Sequence, residues 1–205
     1  MKVITKICGL TRAEDVALCH ALGVDFTGFI FAPKSPRCIA PEAVAAMPAG
    51  ASRRVGVFVN EPVESMLGIV RKTGLDYVQL HGGEGVSVCE AMGPERVIKV
   101  LWPESMNAEE FSQAIRIFAP VCAYFLLDAG QGGGGSGNNA GQPYLRERAF
   151  PRPWLLAGGI GAHNAAEMIR VYSPNGLDMN SALESAPGVK DRERVRAAVE
   201  AIRAL

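Results

Sequence analysis

Val3-Ile4-Thr5-Lys6-Ile7 reads as a short strand, and Cys8-Gly9-Leu10-Thr11 turns straight out of it toward a helical pattern. An open doubly wound sheet that binds nucleotides carries a longer glycine-rich loop at this place, and this turn is too short for one. The same strand-then-helix unit recurs along the chain. β-branched or aromatic runs lie at Val3–Ile7, Asp25–Phe31, Arg53–Val59, Asp76–Leu80, Arg96–Val100, Ala123–Leu127, Pro153–Ala157 and Gly176–Met179. Between them, Val63/Met66/Leu67/Val70, Phe111/Ala114/Ile115/Phe118 and Val195/Ala198/Val199/Ile202 repeat with the period of a helix buried on one face. Eight strands alternating with helices pair in parallel, either as a closed barrel or as an open sheet. The late position of the glycine-rich segments, after strands six and seven, favours the barrel. The fold expected is α/β, a single (β/α)8 TIM barrel over residues 1–205.

Helix ends carry their own signals. Thr11-Arg12-Ala13-Glu14 and Asn107-Ala108-Glu109-Glu110 each place a capping residue three before a Glu, and Gly74 and Gly93 stand where helices should stop. The low-complexity stretch from Gly130 to Gly141 reads either as an interdomain linker or as a loop within one domain that stays mobile until ligand arrives. The 64 residues that follow it hold only two strands, too few to close a core alone, which favours the loop.

Composition narrows the function. Apolar residues make up 48% and charged residues 20% of the 205, with 21 basic and 21 acidic side chains. Such balance is ordinary for a globular protein and lacks the basic excess of a nucleic-acid binder. The five cysteines, Cys8, Cys19, Cys38, Cys89 and Cys122, form no CxxC pair and suit neither a disulfide framework nor a zinc cage. No apolar run is long enough for a signal peptide or a membrane span. The chain reads as soluble and in a reducing compartment, hence cytoplasmic, with no nucleic-acid or membrane partner; a phosphorylated small molecule needs only one local anion site, so neutrality does not exclude it as a partner. Whether it is a monomer or a homodimer stays open.

Parallel barrels place their chemistry at the carboxyl ends of the strands. The polar residues there are Cys8, Lys34 and Arg37, Asn60, His81, Asp128, Gly158-Gly159, then Asp178, Asn180 and Ser181. Cys8 and Asp128 come from strands on different sides of the mouth and can make a base and acid pair, or Cys8 is one more buried packing residue. The base must lose its proton near neutrality, with Lys6 or backbone N–H groups to lower its pKa. The acid must keep its proton, and the apolar run Tyr124–Leu127 before it helps. The other four cysteines read as buried packing residues.

Gly134, Gly135 and Ser136, Gly158-Gly159, and Asn180-Ser181 form a second group. Their backbone N–H groups can close on phosphate oxygens, with Ser181–Glu184 as a short helix, or the glycines simply make tight turns. Arg37, on the stiff loop Ala32–Pro36, either grips a carboxylate or is solvated at the surface. His81 lacks partners at metal-ligand spacing apart from Glu84, so a structural or substrate hydrogen bond is expected and no metal site.

Seven blocks in order resemble the phosphoribosylanthranilate isomerase family. They are Lys6–Thr11, Gly28–Phe31 with Lys34–Arg37, Val55–Asn60, Val78–Gly82, Leu126–Asp128, Leu155–Ile160, and Leu177-Asp178 through Pro187–Asp191. The resemblance implies an Amadori rearrangement of N-(5′-phosphoribosyl)anthranilate to 1-(2-carboxyphenylamino)-1-deoxyribulose 5-phosphate in tryptophan biosynthesis. It implies Asp128 as acid, Cys8 as base, and Arg37 on the anthranilate carboxylate. His81 and Asp178 would join the substrate site, and the late glycine loops would hold the phosphate. No cofactor is implied, because the iminium nitrogen is itself the electron sink. The sequence differs from the family pattern after Gly137 and at Ala182, where Gly is usual. The alternatives are another phosphosugar barrel isomerase, or a catalytically silent barrel that binds a phosphorylated metabolite. Related barrel enzymes would carry a Lys–Glu pair on early strands or an aspartate after the first, where Cys8 stands.

Overall fold

The computed structural model describes residues 2–128 and 149–205. Eight parallel strands close on themselves in sequence order: β1 Ile4–Ile7, β2 Phe26–Ile30, β3 Arg53–Phe58, β4 Tyr77–Leu80, β5 Val97–Leu101, β6 Tyr124–Asp128, β7 Trp154–Ala157 and β8 Gly176–Met179. β8 pairs back onto β1 from Ile4↔Gly176 to Ile7↔Met179, so no edge is left open. β6 and β7 pair directly, Phe125↔Trp154 to Asp128↔Ala157. All eight strands expected from the sequence are present, with no end shifted by more than one residue.

Helices α1 Ala13–Ala21, α2 Pro41–Ala45, α3 Val63–Thr73, α4 Val86–Met92, α5 Ala108–Phe118, α6 Ala165–Tyr172 and α7 Arg192–Arg203 lie outside the barrel. Their apolar stripes meet the outward strand residues. Met66, Phe111 and Val195 share one buried cluster with Ile7, Phe29, Leu80, Phe125, Leu156, Leu177 and Met179. A second cluster, with Phe26, Val55, Tyr77, Ile98, Val100, Leu126, Leu155 and Ala157, fills the lumen. Alternation along a strand then fixes what lies at the mouth. Two residues beyond Leu126 comes Asp128; Gln79 and His81 follow Tyr77; Trp102 follows Val100. With Ile7, Leu177 and Met179 facing out, Lys6, Cys8, Asp178 and Asn180 face in.

One predicted cap forms and one does not. Asn107 accepts from Glu109 and Glu110 N–H groups while Glu110 reaches back to the Asn107 N–H, a full capping box. Thr11 caps nothing: the residue at the N-cap of α1 is Arg12, which offers no side-chain cap, and the Thr11 hydroxyl turns to Gly188 O, to which it donates at 2.6 Å. Gly74 ends α3 in the left-handed conformation, φ 63°, and α4 ends at Gly93. Among the described residues no helix is long and apolar enough to cross a membrane.

Candidate active site

Cys8 sits at the end of β1, its backbone N–H bonded to Met179 O of β8. The thiol needs the empty side of Gly28 on β2: a Cβ there would come within 2.8 Å of Cys8 Sγ and 3.0 Å of its Cα. Beneath it, Lys6 is fully buried and pairs with Asp178 at 2.8 Å. Burial alone would pull the Lys6 pKa down, but Asp178 and Cys8 outweigh it and leave it raised. The Cys8 thiol is also pushed up, by burial first, with Lys6 pulling the other way and Asp178 opposing Lys6. This corrects the expectation of a thiol lowered by Lys6. Lys6 does lower it, but desolvation is the larger effect and the Asp178 charge adds to it.

On the far side of the mouth, Asp128 closes β6. Its Oδ2 lies 3.5 Å from Nε2 of His81, and both side chains keep some exposure, 18% and 29%, so a molecule in the mouth can reach them. Gln79 and His81 Nδ1 are 3.0 Å apart. Burial pushes the His81 pKa below its usual value, so the ring is neutral near pH 7. Trp102 meets the His81 ring edge to face, centroids 5.6 Å apart. Asp178 and Lys6 both act electrostatically on His81, which links the two halves of the mouth.

The His81 loop is braced from outside. Glu84 accepts from Asn60 N–H at 2.7 Å and Gly82 N–H at 2.8 Å, while Asn60 accepts from Gly83 N–H. Lys99 stands 3.6 Å from Glu84, both nearly fully buried, and donates to Gly82 O. Glu84→Ala leaves Lys99 without its counter-charge. Removing one partner of a buried pair costs about 3 kcal/mol or more, so urea unfolding should show a free-energy loss of that size as a lower midpoint at unchanged slope; an unchanged midpoint contradicts the brace.

Arg37 is neither solvated nor held by its loop alone. Its Nε and Nη2 grip Glu184 at 2.9 and 2.7 Å, side-on. Nη1 has no hydrogen-bond partner among the described residues, and the Nη1–Nη2 edge stays available to a second carboxylate. Glu184 also takes Lys190 Nζ at 2.8 Å, and Lys190 holds Asn180 O and Oδ1 at 3.2 and 2.9 Å. Burial would raise the Glu184 pKa, but Arg37 and Lys190 hold it below the usual carboxylate range. Its contribution to stability is therefore present above the unfolded value and fades as pH falls through the folded one.

After β7, Gly158 and Gly159 take φ 107° and 63°, conformations that L side chains rarely adopt. Asn180-Ser181 follow β8, and Ser181–Leu183 form one 3-10 turn; Glu184 belongs to the next strand, β9 (Glu184–Ala186), instead of to that turn. A Cβ on Gly161 would sit 3.3 Å from the Ala182 Cβ, so the loops after β7 and β8 adjoin. Gly134, Gly135 and Ser136 lie outside the described residues. Cys38 is exposed, against the expectation of a packing thiol. Ile30 bridges to Cys38, and alternation buries Arg37 and Ile39 on either side while Cys38 turns out.

The positional rule finds Cys8, His81, Asp128, Asp178 and Asn180 together. It misses Trp102, which the inward register of Ile98 and Val100 would have placed there, and it misses Glu184 and Lys190 altogether.

The N-(5′-phosphoribosyl)anthranilate (PRA) isomerase family model matches residues 5–201. The N-(5′-phosphoribosyl)anthranilate isomerase of Maridesulfovibrio salexigens is 43% identical over 203 residues, 98% of this chain and 99% of that protein. The crystal structure of phosphoribosyl anthranilate isomerase from Thermotoga maritima superimposes with a TM-score of 0.89 at 32% identity, over 99% of this chain and 100% of that one. A phosphoribosyl anthranilate isomerase in complex with reduced 1-(o-carboxyphenylamino)-1-deoxyribulose 5-phosphate matches with a TM-score of 0.81 at 32% identity, over 99% and 100%. With the barrel closed, its mouth lined in the same order as the sequence blocks, and relatives matched end to end, the chain belongs to the PRA isomerase family.

Proposed function

We propose that this chain is the isomerase of tryptophan biosynthesis that converts N-(5′-phosphoribosyl)anthranilate to 1-(2-carboxyphenylamino)-1-deoxyribulose 5-phosphate, with Asp128 as acid and Cys8 as base. The observation that carries the reading is the meeting of both groups at one barrel mouth, each with its own support. Cys8 stands over the Lys6–Asp178 pair, and Asp128 stands beside His81.

Asp128 gives its proton to the furanose oxygen; the C1′–O bond breaks and the anthranilate nitrogen lone pair forms the C1′=N iminium. The Cys8 thiolate then takes the C2′ proton, and the C2′–H electrons move to C1′=C2′ while the iminium electrons return to nitrogen. The enolamine becomes the ketone as C1′ gains a proton and the C2′ hydroxyl loses one. The Nη1–Nη2 edge of Arg37 is placed to hold the aryl carboxylate, and Trp102 offers the aryl ring an aromatic neighbour. Gly158, Gly159 and the backbone of Asn180-Ser181 hold the phosphate, which anchors the sugar between acid and base. The phosphorylated ligand of a related structure supports this reading of the far end. A cytoplasmic setting fits such a biosynthetic enzyme.

Generating the labile substrate in situ and following loss of anthranilate-type fluorescence tests the activity. Wild type should abolish the signal well ahead of the spontaneous decay; a rate equal to that decay rejects the assignment.

The raised Cys8 pKa has a spectroscopic signature. The thiolate is the working form, and in the free enzyme burial holds its share low at neutrality. The ultraviolet thiolate absorbance of wild type, read against Cys8→Ala, should therefore stay small near pH 7 and grow as pH rises through the ordinary thiol range and beyond. A full thiolate signal already present at neutrality contradicts the raised pKa.

A further inference from the structure

We propose that Glu184 is the positioning residue that ties together the two anion-holding ends of the site, with Arg37 on one side of its carboxylate and Lys190, holding the Asn180–Ser181 turn, on the other. The inference deepens the reading above and rests on it for which end meets which anion.

One buried carboxylate takes five contacts in all from its surroundings. Arg37 supplies three of them, from Nε at 2.9 and 3.1 Å and from Nη2 at 2.7 Å; Lys190 Nζ adds one at 2.8 Å and the Gly188 N–H another at 3.2 Å. Among the described residues nothing else hydrogen-bonds the guanidinium: the backbone N–H of Arg37 donates to Ser35, and its side-chain hydrogen bonds all go to Glu184. Its Cδ passes so near Gly9 that a Cβ there would lie 2.7 Å away, and Asn180 Oδ1 would be 2.6 Å from the same Cβ. Arg37 and Asn180 therefore flank one glycine directly after Cys8.

Lys190 Nζ meets no other carboxylate among the described residues: it donates to Glu184 and to both oxygens of Asn180, while the Lys190 backbone N–H donates to Asp15 at 3.3 Å. With its carbonyl and side chain held from below, Asn180 keeps an unusual backbone, φ −138° and ψ −95°, at the entry to the 3-10 turn. Two cations share the Glu184 carboxylate beside Cys8, on which both also act, and the buried Asp15 carboxylate meets Lys190 only through the backbone N–H. A cation at each end suits a substrate that carries an anionic group at each end. Substrates held at both ends bring their reacting carbons to a fixed distance from acid and base, and a loose end costs orientation.

The test measures each end separately, with probes that carry one anion each and without relying on turnover. Anthranilate binding is read by its own fluorescence and inorganic phosphate binding by phosphorus NMR, on wild type, Arg37→Met, Lys190→Met and Glu184→Gln. Arg37→Met should weaken anthranilate alone, and Lys190→Met phosphate alone. Glu184→Gln should weaken both, each by about tenfold, and should raise the substrate KM by more than it lowers kcat. A folded Glu184→Gln protein that loses one probe or neither overturns the inference, since a merely structural carboxylate leaves the probes alone. If Glu184→Gln does not fold, Lys190→Met decides: undiminished phosphate binding overturns the inference, and selective loss upholds it. Failure of the isomerase reading looks different, because then wild type leaves the substrate unconsumed whatever the probes do.

Discussion

Asp128→Asn lowers kcat by about 10³-fold, within the range that a positioned acid contributes, and leaves KM nearly unchanged. The amide keeps the shape of the carboxyl and can still meet His81, 3.5 Å away in the native protein. It has no acidic proton for the ring oxygen. Ring opening then falls back on the slow spontaneous route and limits the rate. A second consequence separates a lost acid from a damaged site. With opening rate-limiting, the isotope effect from deuterium at C2′ shrinks toward unity, because the C2′ bond breaks after the slow step. Full activity in the variant, or an isotope effect that grows, removes Asp128 from the acid role.

Cys8→Ala should lower kcat as steeply, by about 10³-fold or more, with the opposite isotope signature. Ring opening still proceeds, while C2′ deprotonation loses its base and becomes the slow step, so deuterium at C2′ slows turnover more than in wild type. Alanine is smaller than cysteine and fits the space that Gly28 leaves open, so the fold should survive. The variant also frees Lys6 of one neighbour that raises its pKa, although the Asp178 pair at 2.8 Å remains. A Cys8→Ala protein with wild-type turnover would place the base elsewhere.

The barrel was legible because each parallel strand is buried on both faces and reads as a short apolar run between turn signals. The functional residues at strand ends were legible for a related reason. Once strand positions are known, a polar residue directly after an apolar run has few places to go. What stayed hidden depends on partners far apart in the chain. Glu184 lies 147 residues from Arg37 and gives no local sign that it will grip it. Lys190 stands on the two-residue strand β10, Val189–Lys190, without any periodicity to mark it. Thr11 carried a good capping pattern, but Arg12 stands at the N-cap and the Thr11 hydroxyl turns to Gly188 O, 177 residues away in sequence. The direction of the Cys8 pKa was misread because Lys6 is visible in sequence while the depth of burial and the competing Asp178 are not.

The central claim is geometric: acid and base touch one sugar from two sides. A crystal structure of this protein with reduced 1-(o-carboxyphenylamino)-1-deoxyribulose 5-phosphate tests it most directly. The account predicts Cys8 Sγ within about 3.5 Å of C2′ and an Asp128 oxygen within about 3.2 Å of the hydroxyl derived from the ring oxygen, on opposite faces of the chain of sugar carbons. Both groups on one face, or either one out of reach while the ligand's carboxylate and phosphate are held, contradicts it.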